Sequence, residues 1–224
     1  MNFEEIPTTE SEIEAFLVKI NLPEKYSNYV EYMKERVGHH GLGHVLFMLK
    51  LLKEVPHDLV GNLKYLVIAI LFHDVVYSPG SRSNEHESAK YLHNVSLTWY
   101  DREDYENMNQ YVTILITESP HPRISNPGSD IGKDISLLHD LDYAVLGADW
   151  QTYLEYMMGI WAEYAPKFGM EKYVKGRFDF LGGILVSSKP TFWTGWFFNK
   201  FHATSFDNMQ KEVAILRDKI VIAG

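Results

Sequence analysis

The residues best suited to chemistry in this chain are histidines set beside aspartates. His73 and Asp74 are adjacent and follow Tyr65-Leu-Val-Ile-Ala-Ile-Leu-Phe72, the longest apolar run. A carboxylate at such a place is costly unless it is paired or bound to a metal. Alone, the pair reads more readily as a helix end meeting water, but it has company. Upstream lies His39-His40-Gly-Leu-Gly-His44, with His40 and His44 one turn apart if the segment is helical. Downstream, His139-Asp140-Leu-Asp142 sits on another apolar stretch. The chain has no cysteine, so disulfides and thiolate sites are excluded and His, Asp or Glu must hold any metal.

Helices must position these groups. Apolar residues three and four apart predict helices over Glu10–Lys19 and Lys25–Val37. Val45–Leu52 and Asn62–Val76 read as buried helices, with too little alternation for half-exposed strands. Ser78–Ser83 is a loop, and Asn84 reads as an N-cap with Glu87 completing a capping-box-like pair. Asp101 is placed to cap a helix running to about Ser119-Pro120, and His121–Ser129 is a loop. Ile131–Leu146, Asp149 to about Pro166, Glu171–Val186 and Phe206–Ile222 complete the helices, with Lys189–Phe201 aromatic and irregular. The expectation is an all-α chain forming one domain over 1–224.

The 224 residues carry a net charge of -9, which argues against a nucleic-acid-binding surface. A small anionic substrate stays compatible, because a bound metal reverses the local field. The acidic N-terminus lacks the features of a signal peptide, and the longest apolar run is too short to span a bilayer. These features predict a soluble, cytoplasmic protein with no membrane partner.

The order His, then His-Asp, then a distant Asp is the pattern of the HD phosphohydrolase superfamily. The strings GHHGLGHVLFML, AILFHDVVYS, NEHESA, ITESPH, HDLDYAVLGAD and AEY, with a later GR, resemble the "predicted metal-dependent HD phosphohydrolase" family. They follow in that family's order over roughly residues 26 to 216. The resemblance implies an HD-type helical bundle with His40, His73, Asp74 and Asp140 as metal ligands. His39 stands where the family usually has tyrosine, so either histidine is a candidate; the spacing of His40 to His44 favours His40. Asp142 is then a capping or supporting group behind Asp140.

Imidazole and carboxylate donors suit a divalent ion such as Mn, Co, Ni, Fe, Zn or Mg. Two histidines and two aspartates leave positions for water and a phosphate oxygen, the requirements of metal-assisted hydrolysis. The expected activity is therefore that of a phosphohydrolase on a small phosphorylated substrate, a nucleotide or similar ester, with Asp74 orienting or deprotonating the attacking water. The rival activities are hydrolysis of a cyclic nucleotide or of guanosine tetraphosphate, or nucleotide sensing without catalysis. Glu85 matches the family's NE-x-x-SA segment and is a candidate to act on water or a second metal. It is equally a first-turn carboxylate favoured by the helix dipole. His121, one turn after Thr117, matches a family Thr-x-x-x-His and is a candidate for phosphate or a second metal. His44 reads as a buried core histidine or a phosphate contact. Arg177 matches the family's Gly-Arg and is expected to pair with Glu163 rather than bind substrate. Trp161 stands where the family commonly has arginine. The cluster Trp193, Trp196, Phe197, Phe198 and Phe201 reads as core packing, with a ligand wall or a homodimer patch as the alternatives.

Overall fold

The computed structural model describes residues 1–21, 28–96, 102–122 and 124–223. It is all-helical, and no strand occurs among the described residues. Among the described residues ten α-helices follow in order: α1 (Glu10–Lys19), α2 (Tyr29–Lys34), α3 (Leu42–Leu52), α4 (Leu63–Phe72), α5 (Asn84–Ser96), α6 (Arg102–Glu118), α7 (Asp130–Tyr143), α8 (Trp150–Phe168), α9 (Met170–Val186) and α10 (Gly195–Ala223). No helix is long and apolar enough to cross a membrane among the described residues. The chain divides into two compact units. One comprises Met1–Arg36 and His40–Leu141, the other Val37–His39 and Asp142–Gly224.

Within the N-terminal unit, α4 packs against α3, α5 and α6. Its residues from Leu66 to Phe72 are all buried. That explains the unbroken apolar run: a helix surrounded by others has no polar face to present. Both ends of α4 are tied by side chains from other helices. At its N-terminus, the completely buried Asp134 of α7 accepts from the backbone N–H groups of Gly61 and Asn62, each at 2.7 Å, and from the Tyr111 hydroxyl at 2.8 Å. The carboxylate thereby satisfies donors just ahead of the helix, where negative charge is favoured. Gly61 is required there, because a Cβ would collide with the Asp130 carbonyl. At the C-terminus, α2 supplies the donors. The Tyr29 hydroxyl donates to the Leu71 carbonyl and the Tyr32 hydroxyl to that of Val75.

The C-terminal unit packs α9 against α8 and α10, and α10 also against the 3-10 turn Ala144–Gly147. Its centre is polar. Arg177 on α9 donates from Nε and Nη2 to the Glu212 carboxylate of α10 at 2.8 and 3.1 Å. From α8, the Tyr153 hydroxyl donates to the same carboxylate at 2.5 Å, and the Tyr156 hydroxyl accepts from Arg177 Nη1 at 3.0 Å. The partner of Arg177 is therefore Glu212 and not Glu163: the nearer match along the sequence loses to a carboxylate brought in by α10. The segment Val37–His39 belongs to this unit. His39 meets the Tyr156 ring edge-on at 4.6 Å between centroids, and Gly38 has φ +114, a conformation that favours glycine. Gly159 permits this approach, since a Cβ there would lie 2.8 Å from the His39 nitrogen.

Several boundaries differ from the sequence reading. Asn84 does not form the expected capping box; its side chain accepts from Ser78 N–H and donates to the Ser78 carbonyl, closing the preceding loop. Asp101 and part of the predicted Lys25–Val37 helix lie outside the described residues. The last helix starts at Gly195 rather than Phe206. Phe197 and Phe201, one turn apart, are buried and stack on each other with Phe192 beside them, so part of the aromatic cluster is core.

Candidate metal centre

His73 is the C-cap residue of α4, and the chain turns directly after it. Its Nδ1 lies 2.9 Å from the Ile70 carbonyl. A carbonyl oxygen only accepts, so Nδ1 carries the proton and donates. This commitment leaves Nε2 as the ring's other nitrogen, 3.1 Å from Asp74 Oδ2. Two electron-pair donors cannot face each other at that distance without a positive charge between them. Either Nε2 is protonated, making an imidazolium–carboxylate pair, or the two atoms share a cation.

His44 completes the group. It lies on the first turns of α3, is buried, and its ring centre is 5.5 Å from that of His73. Donor atoms of His44, His73 and Asp74 all lie within 4.8 Å of one another, so the three can hold a metal ion. Ligands about 2.1 Å from one ion span up to about 4.2 Å when opposite, so small movements suffice. Burial pushes the Asp74 carboxyl up, but the His73 charge and hydrogen bond, with His40 and His44 behind them, outweigh it. The carboxyl is held well below the usual carboxylate range.

His40 lies beside this group rather than within it. Its ring stacks on Tyr77 at 3.7 Å, and its centre is 6.4 Å from that of His44. Of the adjacent histidines it is His40 that approaches His44, while His39 packs on Tyr156 in the C-terminal unit. Asp140 is completely buried on α7 and also falls outside the three-residue group. Its neighbour His139 donates from Nδ1 to the Ser119 carbonyl at 2.8 Å, tying α7 to the end of α6.

The remaining candidates scatter. Glu85 is half-buried in the first turn of α5, and His121 is exposed in the loop after α6. Asp142 is half-buried and belongs to the C-terminal unit. Arg177 is enclosed in its ion pair with Glu212, so its charge is already matched. Two contributors escape a sequence reading. Tyr77 is the stacking partner of His40, and Arg36 bonds the carbonyls of His40, Asp74 and Val75. A signal for the second was present: Tyr29, Tyr32 and Arg36 recur at spacings of three and four. Compared with known families, curated proteins and solved structures, the chain matches none.

Proposed function

We propose that this chain is a metal-dependent phosphohydrolase acting on a nucleotide or nucleotide-like phosphate ester. The observation that carries the reading is the commitment of His73 Nδ1 to the Ile70 carbonyl. It turns Nε2 toward Asp74 Oδ2 with buried His44 alongside, a donor set of two imidazoles and a carboxylate. When bound, a divalent ion such as Mn, Co, Ni, Fe, Zn or Mg supplies activated water and neutralises charge on the phosphoryl group. His73 and His44 offer nitrogen lone pairs, and Asp74 orients the attacking water. Asp140, a fully buried carboxylate, and His40 are proposed to complete the ligand set. Glu85 is proposed as a further acid–base group.

The test has two parts. Metal binding to the folded form raises stability by about 2.7 kcal/mol at a hundredfold excess over Kd, so thermal melting with each ion identifies binders. A phosphate-release screen of nucleotides with those ions then identifies a substrate. His73→Ala and Asp74→Ala are expected to lose both responses. Full turnover by either variant would show that the chemistry lies elsewhere.

A further inference from the structure

We infer that Arg36 is a positioning residue for the proposed metal centre, holding the His40 loop and the His73-Asp74 turn at a fixed separation. The inference rests on the metal reading above. One nitrogen, Nη1, donates to the His40 carbonyl at 3.1 Å and also to the Asp74 carbonyl. The other, Nη2, donates to the Val75 carbonyl at 2.6 Å and to the Tyr32 hydroxyl at 3.0 Å. Each terminal guanidinium nitrogen has two N–H groups, so all four are committed. No terminal N–H is left to clamp a phosphate, which separates Arg36 from a substrate-binding arginine.

Geometry explains why the residue is arginine. The carbonyls of Asp74 and Val75 lie just past the end of α4, where helix carbonyls lack intrahelical partners and positive charge is favoured. The His40 carbonyl comes from a segment far from them in sequence. Only a planar fork with donors on two nitrogens joins such separated acceptors; an ammonium offers a single point. Arg36 is itself steadied, with its guanidinium carbon 5.0 Å from the centre of the Tyr32 ring. The backbones carrying His40 and Asp74 are thus tied through one side chain. Partners that orient ligands in this way typically govern metal affinity by ten- to a hundredfold.

The experiment measures Co(II) binding to the full chain by titration and by visible absorption, alongside far-UV circular dichroism and melting without metal. Arg36→Lys is expected to keep its helical signal, weaken Co(II) binding at least about tenfold and shift the absorption band. Tyr32→Phe, which removes the exposed hydroxyl bonded to both Arg36 and the Val75 carbonyl, is expected to shift the same band with a smaller loss. A folded Arg36→Lys protein with wild-type affinity and band would overturn the inference and leave the metal reading standing. Should Arg36→Lys fail to fold, an unchanged band in Tyr32→Phe overturns it equally. A wild-type chain that binds neither Co(II) nor the other ions tested overturns both.

Discussion

Replacing Glu212 by leucine is expected to destabilise the C-terminal unit by about 3–5 kcal/mol, the cost of leaving one partner of a buried ion pair alone. The structure supports the full value with no allowance for solvent. Glu212 is 1% exposed and Arg177 7%, so water cannot replace the lost carboxylate. Arg177→Met is expected to cost a similar amount by stranding Glu212. Removing both charges together should cost much less, because an apolar pair of similar volume is often neutral or better. Two hydroxyls keep the double variant below wild type: that of Tyr156 loses the Arg177 Nη1 donor, and the larger loss is at Tyr153. The Tyr153 hydroxyl, which donates to Glu212 at 2.5 Å, is left buried without an acceptor, at about 1–3 kcal/mol. Adding Tyr153→Phe removes that donor and should recover most of the difference. Four of the five tryptophans, Trp150, Trp161, Trp193 and Trp196, belong to this unit, so urea unfolding followed by tryptophan fluorescence reports on it. At about 2–4 °C per kcal/mol, the single variants should melt about 6–20 °C lower. A Glu212→Leu loss below about 1 kcal/mol, or a double variant as unstable as the two singles summed, refutes the reasoning.

Asp134→Ala should cost about 3–5 kcal/mol, because two backbone N–H groups and the Tyr111 hydroxyl lose their acceptor at once. Urea unfolding followed by circular dichroism measures this, and a change under about 1 kcal/mol would show that the N-terminus of α4 needs no such tie. Alkaline pH should also weaken the fold. Burial pushes the phenols of Tyr29 and Tyr153 above their usual range and that of Tyr173 up to about 12. Ionisation near pH 10 then occurs first in the unfolded chain. The stability these groups contribute is intact below pH 10 and declines as pH rises through their folded values. Phenolate absorbance should accordingly appear together with unfolding; if these phenols titrate near pH 10 while the chain stays folded, the burial argument fails.

What could be read in the sequence was local. Asp149 opens and caps α8 as expected, because such contacts span only a few residues. The apolar run before His73 likewise announced a buried helix. The unread parts depend on partners distant in the chain. Glu212 outcompetes Glu163 for Arg177 only once α9 and α10 lie together. His44 was read as a core histidine or a phosphate contact rather than as a partner of His73 and Asp74, because one histidine on an apolar helix looks the same whether it faces packed side chains or a ligand. Arg36 was half hidden: its spacing to Tyr29 and Tyr32 marks a shared helix face, but its acceptors are backbone carbonyls, which no residue type discloses. The aromatic stretch before Phe201 looked irregular because buried aromatics crowd it, yet two of them fall one helical turn apart.

The assignment of Val37–His39 to the C-terminal unit bears on how the chain comes to fold as it is synthesised. These three residues leave the ribosome long before α8, whose Tyr156 and Gly159 they pack against. The next residue, His40, stacks on Tyr77 in the N-terminal unit. A nascent chain halted before α8 therefore has the histidines and aspartates of the candidate centre already made, but the loop leading into His40 is still without its seat. A fragment ending at Leu141 would carry every residue of the candidate centre yet leave Val37–His39 without the α8 ring and backbone they pack on.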